Sequence, residues 1–314
     1  MVYASGMTSD RFETRSYQGR ADLLLLQQFA SVALAARFPL DATWHPGDFA
    51  WQLMPDYERA HPVRMWFDGE RVGAVAMVEA PSRLLLEILP QSMALLPEIL
   101  ARAERSARRA GQPALSVRVY EKDRQRSAQL AHLGYAKSGP DGVIFRCDLS
   151  QRLPAHDSMS GFRICDSIGI DPVRRAKAHR DAWDDLSEIG LPEARSSFTT
   201  EVYEGLREAP GYDVALDILV EAENGELVAN LICWRDEGSR IGSFEPVGTH
   251  SLYRRRGLAR AAIREGLRRL KERGMAWGRV STAHFNRPAI ATYVASGFTL
   301  IDHANWWSKS LNAP

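Results

Sequence analysis

The stretch from Ile241 to Arg273 restricts the fold of this chain more than any other. Ile241 to Val247 mixes β-branched, aromatic and apolar residues and reads as a buried strand. Leu258 to Arg273 carries Ala259, Ala262, Ile263, Gly266, Leu267 and Leu270 on one helical face, with Gly274 placed to end the helix. The basic turn between them holds Arg254, Gly257 and Ala259 in the spacing Arg-x-x-Gly-x-Ala. The first turn of a helix presents backbone N–H groups without intrahelical partners and the positive end of the peptide dipoles, so it seats phosphate. Gly257 and the one-carbon side chain of Ala259, on either side of Leu258 in the same binding turn, let an anion approach the backbone, and Arg254, Arg255, Arg256 and Arg260 supply neutralising charge.

Other phosphate fingerprints are absent. A dinucleotide site wants Gly-x-Gly-x-x-Gly, whereas this turn has one glycine, and no Gly-x-x-x-x-Gly-Lys-[Ser/Thr] occurs. A second group follows: Asn286, Ala289, Tyr293, Gly297 and Phe298, in NRPAIATYVASGF. The two motifs in this order resemble those of the GNAT superfamily of N-acyltransferases. The resemblance implies that the turn cradles the pyrophosphate of acetyl-CoA and that main-chain groups of Val247, Gly248 and Thr249 hold the pantetheine arm. It also implies that Asn286 contacts that arm and that Tyr293 protonates the departing thiolate. Asn286 is placed equally well to cap a helix. Pro246 has no N–H for a sheet ladder and fits a strand that bulges away from its neighbour, as the equivalent strand does in the superfamily.

For the base, Glu245 is the candidate, two residues before Val247 and therefore expected on the same strand face. Ser243 on that face, or a water held by the backbone, is the alternative. His250 lies nearby in a loop. Asp181, Asp184, Asp185 and Glu188 recur at helical spacing and would draw a cationic amine, although such a face is commonly just solvated. Trp183, Trp234, Trp306 and Trp307 could line an apolar acceptor pocket.

The order of elements repeats. Strands at Arg11 to Tyr17, Val63 to Phe67, Val72 to Glu79, Leu84 to Leu89, Ala114 to Tyr120 and Gly142 to Asp148 alternate with helices at Ala21 to Phe38, Asp48 to Met54, Ser92 to Ala110 and Arg124 to Leu133. After the polar, proline-broken SQRLPAHDSMS the same order returns, with helices at Pro172 to Leu186 and Ser196 to Glu208 and strands at Tyr212 to Glu221 and, after an Asn224-Gly225 hairpin turn, at Leu227 to Asp236. This predicts an α/β fold of two tandem units, each a mostly antiparallel sheet flanked by helices: residues 1–149, a linker over 150–160, and 161–314. The layout is similar to that of tandem-domain members of the superfamily such as mycothiol synthase. The first unit reads as degenerate. Counting back from Gly134-Tyr135 as one counts from Gly297-Phe298 puts Leu130 opposite Tyr293 and Asp123 opposite Asn286. The stretch PQSMALLPEIL brings neither glycine nor arginine to a helix start.

With 45% hydrophobic residues, 25% charged residues and a formal charge of +1, the chain reads as a globular protein and not a dedicated polyanion binder. Cys147, Cys165 and Cys233 show no metal-binding spacing and suggest a reducing compartment, so no metal is expected. No apolar leader opens the chain. The LLLL run after Ala21 is interrupted by Gln27 and Gln28, which argues against a membrane span. The expected protein is a cytoplasmic N-acetyltransferase, monomer or homodimer, that moves an acetyl group from acetyl-CoA directly to a primary amine of a small molecule or peptide in its second half. A non-catalytic acyl-CoA-binding sensor or scaffold is the alternative. Nucleic acid and membrane are not expected partners.

Overall fold

The computed structural model describes residues 12–53, 62–154 and 159–312. The first half runs β1 (Phe12–Ser16), α1 (Arg20–Arg37), α2 (Pro46–Gln52), β2 (Val63–Asp68), β3 (Arg71–Ala80), β4 (Arg83–Ile88), α3 (Leu96–Arg109), β5 (Ala114–Tyr120), α4 (Arg124–His132) and β6 (Ala136–Asp148). The second runs β7 (Phe162–Asp166), α5 (Pro172–Trp183), α6 (Thr200–Arg207), β8 (Asp217–Ala222), β9 (Leu227–Asp236), β10 (Ile241–Thr249), α7 (Leu258–Glu272), β11 (Trp277–Ala283), α8 (Arg287–Ala295) and β12 (Thr299–Ser310). Arg11, Met54 and residues 155–158 of the expected linker lie outside the described residues.

Where element ends differ from the sequence reading, local chemistry explains it. The helix expected from Ser92 begins as a 3₁₀ turn at Pro90–Leu95, and α3 starts at Leu96 because Pro97, lacking an N–H, fits only a first helical turn. Asp213 caps a 3₁₀ turn at Val214–Leu216, which delays β8 to Asp217. The internal repeat is visible in backbone detail. Asp123 caps α4 at φ −78°, ψ 70°, and Asn286 caps α8 at φ −77°, ψ 71°, each accepting from the amide three residues on.

The twelve strands of the described residues join one mixed sheet, in the order β1-β2-β3-β4-β5-β12-β6-β11-β10-β9-β8-β7. Among the described residues only β4–β5 and β10–β11 pair in parallel. The last strand of each half is exchanged: β12 pairs with β5 of the first half, and β6 pairs with β11 of the second. The two exchanged strands pair with each other at the centre.

Three large cores result. One lies under α3 and α4, and one under α7 and α8. The third joins the halves, for it packs Leu26 and Phe29 of α1 and Phe49 of α2 with Met65 and Met77 on one side and Ile232, Trp234 and Ile241 on the other. Helix α2 is seated so closely on β9 that a Cβ at Gly47 would lie 2.1 Å from the Trp234 ring. Just before α2, Asp41 receives Arg279 of β11 at 2.8 Å and Arg146 of β6 at 3.3 Å, with all three side chains buried. A buried pair of this kind is costly to break, about 3–5 kcal/mol when one partner is removed, because the other charge is left in a dry site.

Candidate active site

The parallel pairing of β10 with β11 covers only Ile241 to Ser243. Beyond it β10 stays with β9 and β11 stays with β6, so the sheet parts. The cause is in β10 itself, whose register against β9 shifts between Phe244 and Val247, around Pro246. Past Ser243, β10 has no partner strand on its β11 side among the described residues.

A cavity of about 660 Å³ opens at this gap. Val247, Gly248 and Thr249 form one wall, Arg254, Arg255, Gly257, Leu258, Ala259 and Arg260 the head, and Asn286, Ala289 and Tyr293 the other side. Gly257 stands at the start of α7 with φ 79°, a conformation glycine adopts without strain, and no side chain caps the helix there. The first-turn amides of a 15-residue helix therefore face the cavity. Gly248 is needed for another reason: a Cβ there would lie 2.2 Å from the Trp183 ring of α5. Thr249 Oγ1 is buried without a hydrogen-bond partner beside the cavity, a polar atom awaiting one from a ligand.

The arginines divide their roles. Arg254 donates to the carbonyls of Thr249 and Ala182 at 3.2 Å each, bracing the turn against α5 and β10. Arg255 pairs with Glu188 at 2.9 Å. Arg256 does not line the cavity; its guanidinium lies 5.2 Å from the Tyr253 ring centre. Farther along α7 the basic residues are spent on neighbours. Arg268 and Arg269 bind Glu265 and, against the upward push of burial, hold its carboxyl at about 2, while Arg273 pairs with Asp213.

Tyr293 projects from α8 with only 6% of its surface exposed. Burial first, and the charge of Glu245 second, push its phenol above the ordinary range, so it stays protonated. Glu245 itself corrects the expectation that it shares a face with Val247. The register shift between Phe244 and Val247 interrupts the alternation, and Glu245 lines a second cavity of about 140 Å³. Burial, then the nearby charge of Asp48, raise its carboxyl to about 8, with Arg279 opposing. No hydrogen bond or ion pair holds that carboxyl among the described residues. Ser243 is occupied by Arg279 at 3.4 Å.

Sequence reasoning missed most of this second cavity. Thr43, Trp44, Asp48 and Gln52 before and on α2, Glu79, Leu85, Arg118 and Asp141 all come from the first half and meet Glu245, Arg279 and Ser281 of the second. No spacing rule links residues so far apart in sequence.

Other expectations fail. Helix α5 ends at Trp183, so Asp184, Asp185 and Glu188 do not continue a helical face: Asp184 is its C-cap, Asp185 accepts from the Ser187 amide and Glu188 takes Arg255. The four tryptophans do not share a pocket. Trp183 lines the larger cavity, Trp234 donates to the Glu245 carbonyl at 2.7 Å, Trp306 belongs to the joint core and Trp307 packs under α3. His250 Nδ1 accepts from the Leu252 amide. His250, Asp181 and Glu226 have oxygen and nitrogen atoms within 4.8 Å of one another. Lys177 already binds Asp181 and the Tyr253 hydroxyl binds Glu226 at 2.9 Å, so the trio is a hydrogen-bonded cluster as it stands.

The corresponding gap in the first half is filled. There β4 and β5 pair only over Arg83 and Leu84, but Arg126 of α4, the counterpart of Ala289 by count from the caps, enters the space. Its guanidinium donates to the Leu86 carbonyl at 2.8 Å and to Glu87 at 2.7 Å. Arg37 joins Glu87 and Asp123, and Thr43 donates its amide to Glu87 at 2.8 Å. Burial opposes ionisation of Glu87, yet Arg126 and Arg37 hold its carboxyl below the usual range.

Residues 181–298 match the model of the acetyltransferase (GNAT) family. The second half of this chain carries a GNAT domain. Family membership of that domain implies acyl-CoA-dependent acetyl transfer. The whole fold is similar to a tandem GNAT protein of the clavulanic acid biosynthesis pathway, with 19% identity, TM-score 0.65, and 96% of this chain and 99% of that chain covered. It is also similar to a GCN5-related N-acetyltransferase from Sphaerobacter thermophilus, at 17% identity, TM-score 0.58 and 97% coverage of both chains. A GNAT-family acetyltransferase from Colwellia psychrerythraea aligns at 13% identity and TM-score 0.58, over 95% of this chain and 100% of that one. No curated protein sequence matches. At these identities the likeness is one of fold, and the GNAT domain, with α7 and α8 at its cleft, spans most of the site residues. Among the described residues no helix is long and apolar enough to cross a membrane.

Proposed function

We propose that the protein transfers an acetyl group from acetyl-CoA to a primary amine of a small molecule or peptide, and that residues 161–314 hold the cofactor while residues 1–149 wall the acceptor side. The observation that carries this reading is the meeting, in one cleft, of the uncapped start of α7, the parted edge of β10 and the Tyr293 hydroxyl. Acetyl-CoA supplies an acyl group activated as a thioester. The residues present fit it: amides at Gly257, Leu258 and Ala259 for the diphosphate, Arg255 and Arg260 for its charge, and Thr249 Oγ1 with the free edge of β10 for the amide-bearing arm.

Glu245 takes a proton from the acceptor ammonium, leaving a neutral amine to attack the thioester carbonyl. Amides of β10 stabilise the oxygen that gains charge, a contribution on the order of 3 kcal/mol per donor. Tyr293 gives its proton to the sulfur as the C–S bond breaks, and the proton lost from the new amide nitrogen restores the phenol. The two groups help each other. Once Glu245 is protonated, its charge no longer holds the Tyr293 proton in place, so the phenol becomes a better donor at the step that needs one.

Because Glu245 must be ionised and its carboxyl titrates at about 8, kcat/KM should climb about tenfold per pH unit below that value and level off above it. Glu245→Gln should lower kcat about a hundredfold and abolish that limb; a limb that survives the substitution assigns the base elsewhere. The same raised value has a stability consequence. Between the ordinary carboxylate range and pH 8 the folded protein keeps a proton that the unfolded chain has lost, so stability declines as pH rises through this window. Tyr293→Phe should reduce thiol release about 10- to 100-fold while acetyl-CoA affinity, read by calorimetry, stays within about threefold. If neither substitution alters function, a binding-only role replaces the catalytic one.

A further inference from the structure

The smaller cavity is built from both halves and from groups whose bonding is incomplete. Of its two arginines, Arg279 is fully engaged, at 2.8 Å from Asp41 and 3.2 Å from Asp48. Arg118 is not. Its Nε lies 2.7 Å from Asp141, and its two terminal nitrogens make no hydrogen bond among the described residues. Its guanidinium is braced 5.4 Å from the Tyr120 ring centre, with 17% of the side chain exposed, so it is held in place and not free to swing into solvent. The same cavity is lined by acceptors without donors. Gln52 Oε1 is buried with no hydrogen-bond partner, and the Glu245 carboxyl has none. A half-buried cavity that leaves both donors and acceptors unmet calls for a ligand with the complementary pair.

We infer that this cavity binds an amine that also carries a carboxylate, an amino acid or the amino-acid end of a larger molecule, with Arg118 of the first half clasping the carboxylate and the amino group set between Gln52 and Glu245. The inference rests on the acetyl-transfer reading and names its acceptor. Charge and size agree with it. The lining holds Asp48, Glu79 and Asp141 against Arg118 and Arg279, before Glu245 is counted, so an anion without an amine would meet a net negative wall, while a zwitterion brings both signs. A volume of about 140 Å³ admits a short polar head and not a bulky apolar one. The planar guanidinium fork matches a carboxylate in two parallel hydrogen bonds, which a lone amine or an amide does not reproduce. Arg118 is thus a specificity residue supplied by the half that lacks a cofactor cleft of its own.

The test pairs acceptors that differ only in the carboxylate, with acetyl-CoA turnover followed as thiol release: glycine against glycinamide and methylamine, L-alanine against L-alaninamide and ethylamine, and β-alanine against its amide. The full-length protein should use at least one carboxylate-bearing member with kcat/KM about a hundredfold above its partners. Arg118→Gln should raise KM for that acceptor about 30-fold, leave kcat and acetyl-CoA affinity within about threefold, and leave the amines that lack a carboxylate unaffected. Arg118→Lys, which retains charge but not the fork, should recover only part of the loss, and unaltered thermal unfolding separates this from a folding defect. Turnover that is indifferent to the carboxylate overturns the inference and spares the acetyl-transfer reading. Calorimetric binding of amino acids, lost in Arg118→Gln, with no turnover of any amine, does the reverse. Binding and turnover of amino acids that ignore Arg118 also overturn it.

Discussion

Arginine in place of Ala289 should close the cofactor cleft. In the first half the equivalent position is Arg126, whose guanidinium sits on the Leu86 carbonyl of the parted strand and on Glu87, 3% exposed. Ala289 occupies that place on α8 and lines the larger cavity with a single methyl group. An arginine there has the same reach and finds the free edge of β10 in the role that β4 plays for Arg126. The expected result is loss of acetyl-CoA affinity by more than about a hundredfold, since the side chain competes with the pantetheine arm for the same backbone groups. Folding should change little, because Ala289 is only partly buried. Calorimetry against acetyl-CoA checks it. Wild-type affinity in Ala289→Arg would mean that the arm does not pass between β10 and α8.

The second large effect concerns the division of the chain. Cutting at the linker and expressing residues 161–314 alone should yield a fragment that does not fold as a monomer. Without β6, strand β11 loses its antiparallel partner along its whole length, from Trp277 opposite Asp148 to Ala283 opposite Gly142. Val143 and Phe145 also leave the core under α7 and α8. Two such side chains together contribute roughly 3–6 kcal/mol, set against a typical total stability of about 5–15 kcal/mol. The exposed strand edge would favour aggregation or a swapped dimer. Co-expression with residues 1–149 should restore a soluble complex and thiol release. The measurements are size-exclusion mass and cooperative thermal unfolding of each fragment. A monomeric 161–314 fragment with a sharp transition and full acetyl-CoA affinity would show that the strand exchange is dispensable.

Legibility followed the range of the physics involved. Strand β9 was readable at Leu227–Asp236, and α7 to within one residue, because their signals are local: apolar periodicity, an Asn-Gly turn before one and a glycine at each end of the other. The glycine turn that opens α7 was readable for the same reason, since Gly257 and the amides it leaves uncapped lie within one turn. The misreadings share a cause too. Assigning Glu245 to the face of Val247 assumed strict alternation, and the register shift around Pro246 breaks it. Extending α5 through Asp184 and Asp185 followed spacing alone, while the Asp185–Ser187 turn ends the helix.

The sequence by itself therefore determined the kinds of element, their repeated order, and the glycine turn at which a helix start meets a strand. These depend on residues a few positions apart, whose preferences act before any long-range contact forms. Only the tertiary structure decided that the halves exchange their last strands, that Arg126 fills one gap while Ala289 leaves the other open, and that Arg118, Gln52 and Glu245 line one cavity at the joint. Those outcomes depend on which surfaces are brought together when apolar area is buried over the whole chain. One strand edge can pair with any suitable partner, so local preference leaves that choice open, and packing makes it.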